Sequence, residues 1–292
     1  MHSKQSQPKN HHYVPESYLE RFTDGTGFLS IRDLARDQTR RQRPGQVMTI
    51  NAYYRQAWAT QGVDPNIFEL ELGKGLESEI RVVIDKLIMS PHTLNAHDTA
   101  SLLTYLELQR IRVPRQAQTA KALMRESILK TAPADIVANV EAGRLQLNIK
   151  DSARFRYMKM ALGSIHPWLA RMEWEIFEAA PGTAFVTTDS PVTFFNSRIL
   201  PPAEAGVGLV GTVVLFPLCS RKLLLMRHSQ IRSEPPLTEL PPTKLVDGLI
   251  SMSQGVIWDR GLVELTNRRM AHLAHELIVG ESKDALESSG RV

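Results

Sequence analysis

Four stretches of this sequence set reactive side chains among apolar ones, and any chemistry has to come from them. "NHHYVPESYLERF" (10–22) carries His11 and His12. Adjacent residues of an extended segment point to opposite sides, so one of the two faces any given pocket, and a single zinc rarely takes both. That imidazole either moves a proton near neutral pH or holds a hydrogen bond at a helix start. "IFELELGKGLESE" carries Glu69 and Glu77. On a helix, Glu69 falls inside the Leu72/Leu76/Val83 stripe and Glu77 at its edge, so a carboxylate there needs a base, a metal or a raised pKa.

"LQRIRVPR" poses the converse problem. Arg110 lies within the Leu102/Leu106/Val113 face, Gln109 at its edge, and Arg112 on the Leu108 side near the helix end. A guanidinium in a buried helix requires a carboxylate, such as Glu69 or Glu77, or an anion. "FVTTDSPVTFF" puts Asp189 just past a strand and before Ser190-Pro191. An Asx turn accounts for it there, and so does presentation of a catalytic carboxylate at a strand end.

These residues need elements to place them. "PESYLERF" predicts a short helix, with Pro15 early and Glu16 in the first turn. "FLSIRD" and "QTRRQR" alternate like a hairpin. Leu72, Leu76, Ile80, Val83 and Leu87 recur at helical steps up to Ser90-Pro91. A longer helix over 96–130 opens at Asn95 as cap and must kink or break at Pro114, just after Arg112. Its apolar residues on both sides predict a central, largely buried helix. "PADIVANVEAG" and "DSARFRYMKMALGSIHPWLA" predict two more helices. "RMEWEIFEAA", "TAFVTT", "PVTFF", "TVVLFPL" and "KLLLMRH" are β-rich runs spaced too closely for helical crossovers, which predicts a mainly antiparallel sheet. "ELTNRRMAHLAHELIVG" predicts an amphipathic helix ended by Gly280. The expected fold is α+β, a helical middle segment on a mainly antiparallel sheet. Its expected bounds are a polar tail over 1–9, one domain over 10–281 and a disordered tail over 282–292.

Composition narrows the function classes. The 292 residues are 42% hydrophobic and 23% charged, as in ordinary globular proteins. No run reaches the roughly 18 apolar residues that a membrane span requires, and the N-terminus lacks the apolar core of a secretory signal. A single cysteine, Cys219, excludes a disulfide framework and cysteine-rich zinc patterns, and makes the cytoplasm the expected compartment. Within "VVLFPLCS" it is expected to be a small buried apolar residue rather than a nucleophile. The formal charge of +4 permits nucleic acid without requiring it. The arginines of "DQTRRQRPG" and "LQRIRVPRQ" mark basic clusters, whose simplest reading is a solvated face. Walker loops, dinucleotide-binding glycine patterns, nucleophile elbows and zinc-protease helices are absent from the sequence.

Taken in order, the four stretches resemble the bacterial "domain of unknown function 4238" family. Its His-Tyr-Val-Pro opening and Tyr-Leu-x-x-Phe helix match "HHYVPESYLERF". Its glutamate helix matches "IFELELGKGLESE", and its Gln-x-x-Arg-x-Pro helix matches "QRIRVP". The Thr-Ser-Asp-Asn-Pro turn is represented by "TTDSP", with Thr188 for Ser and Ser190 for Asn. A Pro-Leu strand and a terminal helix carrying an Asn match "FPLCS" and "LTNRRM". The resemblance spans about Asn10 to Gly280. It implies a single α+β domain and puts His12, Arg112, Asp189 and Asn267 at matching positions, with Glu69 and Glu77 approximately so. It brings no reaction with it.

The resulting expectation is a metal-assisted phosphoester hydrolase or nuclease acting on nucleic acid or nucleotides, with no membrane partner. Glu69, Glu77 and Asp189 would hold magnesium or manganese, His12 would act as acid or base, and Arg112 would steady the phosphate. His11, Gln109 and Asn267 would bind alongside. The alternative is a non-catalytic binding or regulatory module, defence-associated among the options, in which the buried charges are salt bridges.

Overall fold

A computed structural model describes residues 10–56, 64, 66, 75–150, 152–200, 203–228, 243–245 and 250–290. The chain opens with β1 (Asn10–His12), α1 (Glu16–Leu19), β2 (Leu29–Asp33), β3 (Gln38–Gln42) and β4 (Thr49–Asn51). A helical stretch follows: α2 (Glu77–Met89), α3 (Ala96–Ile111), α4 (Pro114–Thr131), α5 (Ala134–Glu141), α6 (Ser152–Ala161) and α7 (His166–Leu169). Then come β5 (Met172–Ala179), β6 (Thr187–Thr188), β7 (Thr193–Phe195), β8 (Val213–Cys219), β9 (Lys222–His228), β10 (Thr243–Leu245) and β11 (Ile250–Trp258). The chain finishes with α8 (Arg260–His272), β12 (Leu277–Gly280) and α9 (Lys283–Glu287).

The strands form a sheet ordered β10-β11-β5-β9-β8-β7, another ordered β3-β2-β12-β6, and the β1-β4 pair. Pairing is antiparallel throughout except between β11 and β5. The fold is therefore α+β. The central strands of the larger sheet are apolar on both faces because both are covered. Met172, Trp174, Ile176, Val214, Phe216, Leu224 and Met226 pack with Ile80, Val83, Ile84, Leu87, Leu102 and Leu106 of α2 and α3. The alternate residues Phe177, Leu215, Leu223 and Leu225 pack with Val263 and Met270 of α8 and with Ile278 of β12.

Local signals fix the elements around the site. Asn95 accepts from the Asp98 N–H at 2.9 Å and Asp98 returns the bond at 3.0 Å, a capping box that starts α3. Lys86 binds the same Asp98 and ties α2 to α3. Pro114 ends α3 as its sequence requires: Val113 is extended (φ −75°, ψ 153°) and α4 begins at the proline. One predicted helix becomes two in "DSARFRYMKMALGSIHPWLA", broken where Gly163 takes φ +86°.

Two expectations at the C-terminus are corrected. The amphipathic helix predicted to reach Gly280 stops at His272, and Leu277–Gly280 is instead β12, held between β2 and β6. Leu-Ile-Val favours a fully buried strand, and all four β12 residues are buried. The residues beyond 281, expected as a disordered tail, include α9, capped by Ser282 and anchored by buried Ala285 and Leu286. A run of five helical residues with two apolar side chains carries too little periodicity to announce itself.

Candidate functional site

Three segments converge on Arg112. α3 delivers it at its C-cap, where the break at Pro114 frees the Arg112 carbonyl, and the Tyr53 hydroxyl donates to it at 3.2 Å. The side chain is 1% exposed, and its Nη1 donates to Glu77 Oε1 at 2.8 Å while its Nε donates to Gln109 Oε1 at 2.8 Å. Gln109 in turn donates from Nε2 to the Tyr13 carbonyl at 2.9 Å, which fastens α3 to the strand segment that carries the histidines. Burial alone would depress the Arg112 pKa, but Tyr54, Glu77 and Tyr105 more than offset it and hold it above its ordinary value. The guanidinium stays charged.

The two histidines diverge, as adjacent strand residues must. His11 is buried, stacks on Tyr54 at 5.9 Å and accepts the Tyr54 N–H on Nδ1 at 2.9 Å. It is a structural peg for the 53–54 turn. His12 lies toward Glu16, Glu77, Arg112 and Pro44. Burial lowers its pKa, while Glu16 and Glu77 pull the other way, so the ring is neutral at pH 7. Its backbone partner is Pro44, and Nε2 has no partner among the described residues. That assigns the proton to Nδ1 and leaves a free lone pair on Nε2.

Arg112 Nη2 and the Tyr105 hydroxyl are likewise buried without a hydrogen-bond partner among the described residues. Tyr105 precedes Arg112 by seven residues, two helical turns, so both share one face of α3. Burial raises its pKa and keeps the phenol protonated. Nη2 and the phenol are two donors, and Nε2 is one base. Buried polar atoms are nearly always satisfied, so these three, gathered around Arg112, are the atoms that a ligand or an ordered water would contact.

The other candidates lie elsewhere. Asp189 is 2% exposed and accepts three backbone N–H groups, from His275 (2.8 Å), Glu276 (2.6 Å) and Leu277 (3.0 Å). Burial pushes its pKa up against the pull of those donors. This carboxylate turns the chain from α8 into β12. Tyr13 links the two regions, since its carbonyl takes the Gln109 amide and its phenol feels the Asp189 charge. Asn267 accepts the Val186 N–H at 3.0 Å and donates to the Ala184 carbonyl at 2.9 Å and the Ser288 hydroxyl at 2.7 Å, clamping three segments. Glu69 lies outside the described residues. No three His, Cys, Asp or Glu side chains converge as a metal site among the described residues. Cys219 ends β8 half-buried rather than fully buried as expected, with its thiol pKa raised by burial.

Sequence reasoning missed Tyr105, Tyr54 and Glu16. The seven-residue spacing to Arg112 could have found Tyr105, and the four-residue step from His12 could have found Glu16. Arg110 found an unanticipated partner: it pairs with Glu204, which also engages Arg115 and Gln116. That ion cluster pins the 203–212 loop on α3 and α4.

The stretches carrying this geometry are those on which the family resemblance rests. A family described as "Protein of unknown function (DUF4238)" matches residues 10–284. The chain belongs to the DUF4238 family. No curated protein and no solved structure matches it. The DUF4238 match takes in both the His12–Arg112 cluster and the Asp189 and Asn267 clamps. No described helix is long and apolar enough to cross a membrane.

Proposed function

We propose that this DUF4238 protein cleaves phosphoesters, with His12 as general base and Arg112 and Tyr105 as the donors that receive the phosphoryl oxygens. The observation that carries the reading is the trio of buried orphan atoms: His12 Nε2, Arg112 Nη2 and Tyr105 Oη. A neutral imidazole with its lone pair free accepts a proton from an attacking hydroxyl or water. A buried guanidinium and phenol, held in place by α3, donate to charge that grows on phosphoryl oxygens in the transition state. Glu77 holds Arg112 in place through Nη1, which leaves Nη2 for the substrate. Of the metal ligands expected from the sequence, Glu77 is committed to Arg112 and Asp189 to the N–H groups of 275–277, so the reading routes no step through a cation. Metal content of the purified protein tests for a cation separately.

The test is turnover of generic phosphodiesters by the parent and by His12→Gln, with and without divalent ions. The reading expects turnover in the parent and a fall of about 10²–10⁴-fold in the variant, the usual range for losing a general base. Equal rates in both proteins would remove His12 from the chemistry. A non-catalytic binding module is favoured by one observation: Arg112 already has two of its donors engaged by Glu77 and Gln109. That reading expects anion binding with no turnover in the parent.

A further inference from the structure

The arginines of "QTRRQRPG" have no part in the chemistry above, yet the chain runs from them directly into the site. β3 is the outermost described strand of its sheet and carries Arg40 and Arg41, with Arg43 just beyond it. Between positions 32 and 43 the sequence has five arginines and two aspartates. Asp33 is shared by Arg36 and Arg40, and Asp37 lies 3.9 Å from Arg32. Asp24 pairs with Arg41 but also accepts from Thr26 and from the Phe28 N–H. Arg43 has no carboxylate partner among the described residues, and it is exposed, as is Arg41. The guanidinium carbons of Arg41 and Arg43 stand 5.1 and 5.2 Å from the centre of the Phe28 ring. The residue after Arg43 is Pro44, the backbone partner of His12.

We propose that this arginine edge is the docking track for a single-stranded nucleic acid whose phosphodiester is delivered to His12; the delivery step rests on the phosphoester reading. The site has little positive charge of its own to recruit a polyanion. Glu77 offsets Arg112, and Glu16 adds a negative charge beside His12. The attraction therefore has to come from outside, and β3 with Arg43 supplies it immediately before Pro44, the backbone partner of His12. Guanidinium planes gathered on an aromatic ring also offer stacking faces for unpaired bases. A single strand fits better than a duplex, because its unpaired bases are free to stack on the guanidinium planes of Arg41 and Arg43.

The test is fluorescence anisotropy of a labelled oligouridine with the parent, Arg41→Ala/Arg43→Ala and Arg43→Glu, with oligodeoxythymidine run in parallel. The expected result is parent binding that weakens about tenfold or more in the double variant, with a shallower salt dependence. Turnover of a small diester, bis-(4-nitrophenyl) phosphate, should stay unchanged, since neither arginine touches the site. Parent protein that ignores the oligonucleotide, or variants that bind it as well as the parent, would overturn the track. So would tighter binding to oligoglutamate or anionic vesicles than to the oligonucleotide. His12→Gln separates the two readings. If parent and His12→Gln bind the oligonucleotide equally but the parent cleaves nothing, the track stands and the phosphoester reading falls.

Discussion

Arg112 and Asp189 are each a buried charge set in an apolar run, and their surroundings differ in one respect. Asp189 has each carboxylate oxygen engaged by backbone N–H groups of 275–277. Arg112 has two donors engaged and a third, Nη2, buried without a partner among the described residues, with His12 Nε2 and Tyr105 Oη in the same condition. Satisfied charges of this kind hold backbone in place, whereas incompletely satisfied ones are available to a ligand. Glu107 belongs with Asp189, accepting the N–H groups of Gly163, Ile165 and His166 and so anchoring the turn between α6 and α7. Hydrogen-bond partners, rather than residue type, are what separate Arg112 from Asp189.

The largest expected effect falls on the satisfied side. Asp189→Ala strands three N–H groups, those of half-buried His275, exposed Glu276 and buried Leu277, and should cost about 3–5 kcal/mol. Asp189→Asn keeps one acceptor oxygen but sets an amide N–H₂ against a backbone donor, and should cost about half as much. Urea denaturation midpoints measure both. An unchanged midpoint in Asp189→Ala would abolish the contrast with Arg112, because the carboxylate would then be idle.

Next comes His12→Gln, in which the unsatisfied side should respond in activity rather than stability. Its denaturation midpoint should move by less than about 1 kcal/mol equivalent, within the range of ordinary substitutions, while phosphodiester turnover collapses. A large stability loss would place His12 with Asp189 instead. The ring also carries a pH signature. Its folded-state pKa is lowered by burial, so the unfolded chain binds the proton more readily as pH falls below about 6.5. The stability that neutral His12 supports is complete above that pH and is lost on acidification toward the folded pKa. In denaturant titrations across that window the parent should lose stability relative to His12→Gln, which carries no titrating ring, as the pH falls.

Much of this architecture was legible because its signals are local. Asn95 with Asp98, the Pro114 break and the alternation of "LSIRD" against "QTRRQ" specify elements within a few residues. β12 was hidden because "AHLAHELIVG" continues a helical pattern. What holds residues 275–277 at the entry to β12 is a carboxylate more than eighty residues away in sequence, and no window of the sequence contains that contact. For the same reason "TTDSP" and "QRIRVP" looked alike as candidate site residues. Their types were visible, while the identity of their partners depends on tertiary contacts. The Glu77–Arg112 pair was foreseeable from the need to neutralise a buried guanidinium. The three N–H groups that engage Asp189 were not.

Tyr105→Phe sharpens the contrast at a smaller scale. It removes a buried hydroxyl with no hydrogen-bond partner among the described residues, so the folded state loses no bond that the structure contains. Stability should hold or rise by up to about 1 kcal/mol, as expected when an unsatisfied buried polar atom is deleted. Turnover should fall about tenfold or more if the phenol donates to the substrate. A substantial loss of stability with no loss of turnover would reverse its assignment and make it a structural group.

The smallest effect tests whether His12 is tuned from outside the Arg112 pair. Its ring and the Glu16 carboxylate both come to the short 3-10 turn Pro44–Gln46, the ring through Pro44 and the carboxylate against Gly45. A Cβ at position 45 would stand 2.6 Å from Glu16 Oε1, too close for any contact, and the flexible end of Glu16 would have to move away. Glu16 raises the His12 pKa, opposing burial. Taking its charge away with Glu16→Gln should therefore lower the His12 pKa further and shift the acid limb of turnover toward lower pH. Gly45→Ala should shift it in the same direction by a smaller amount, because the carboxylate is displaced rather than removed. NMR titration of the His12 ring reads both shifts without relying on turnover. A ring pKa that rises, or stays fixed in Glu16→Gln, would show that Glu16 does not act on His12 and would leave the Glu77–Arg112 pair as its electrostatic setting.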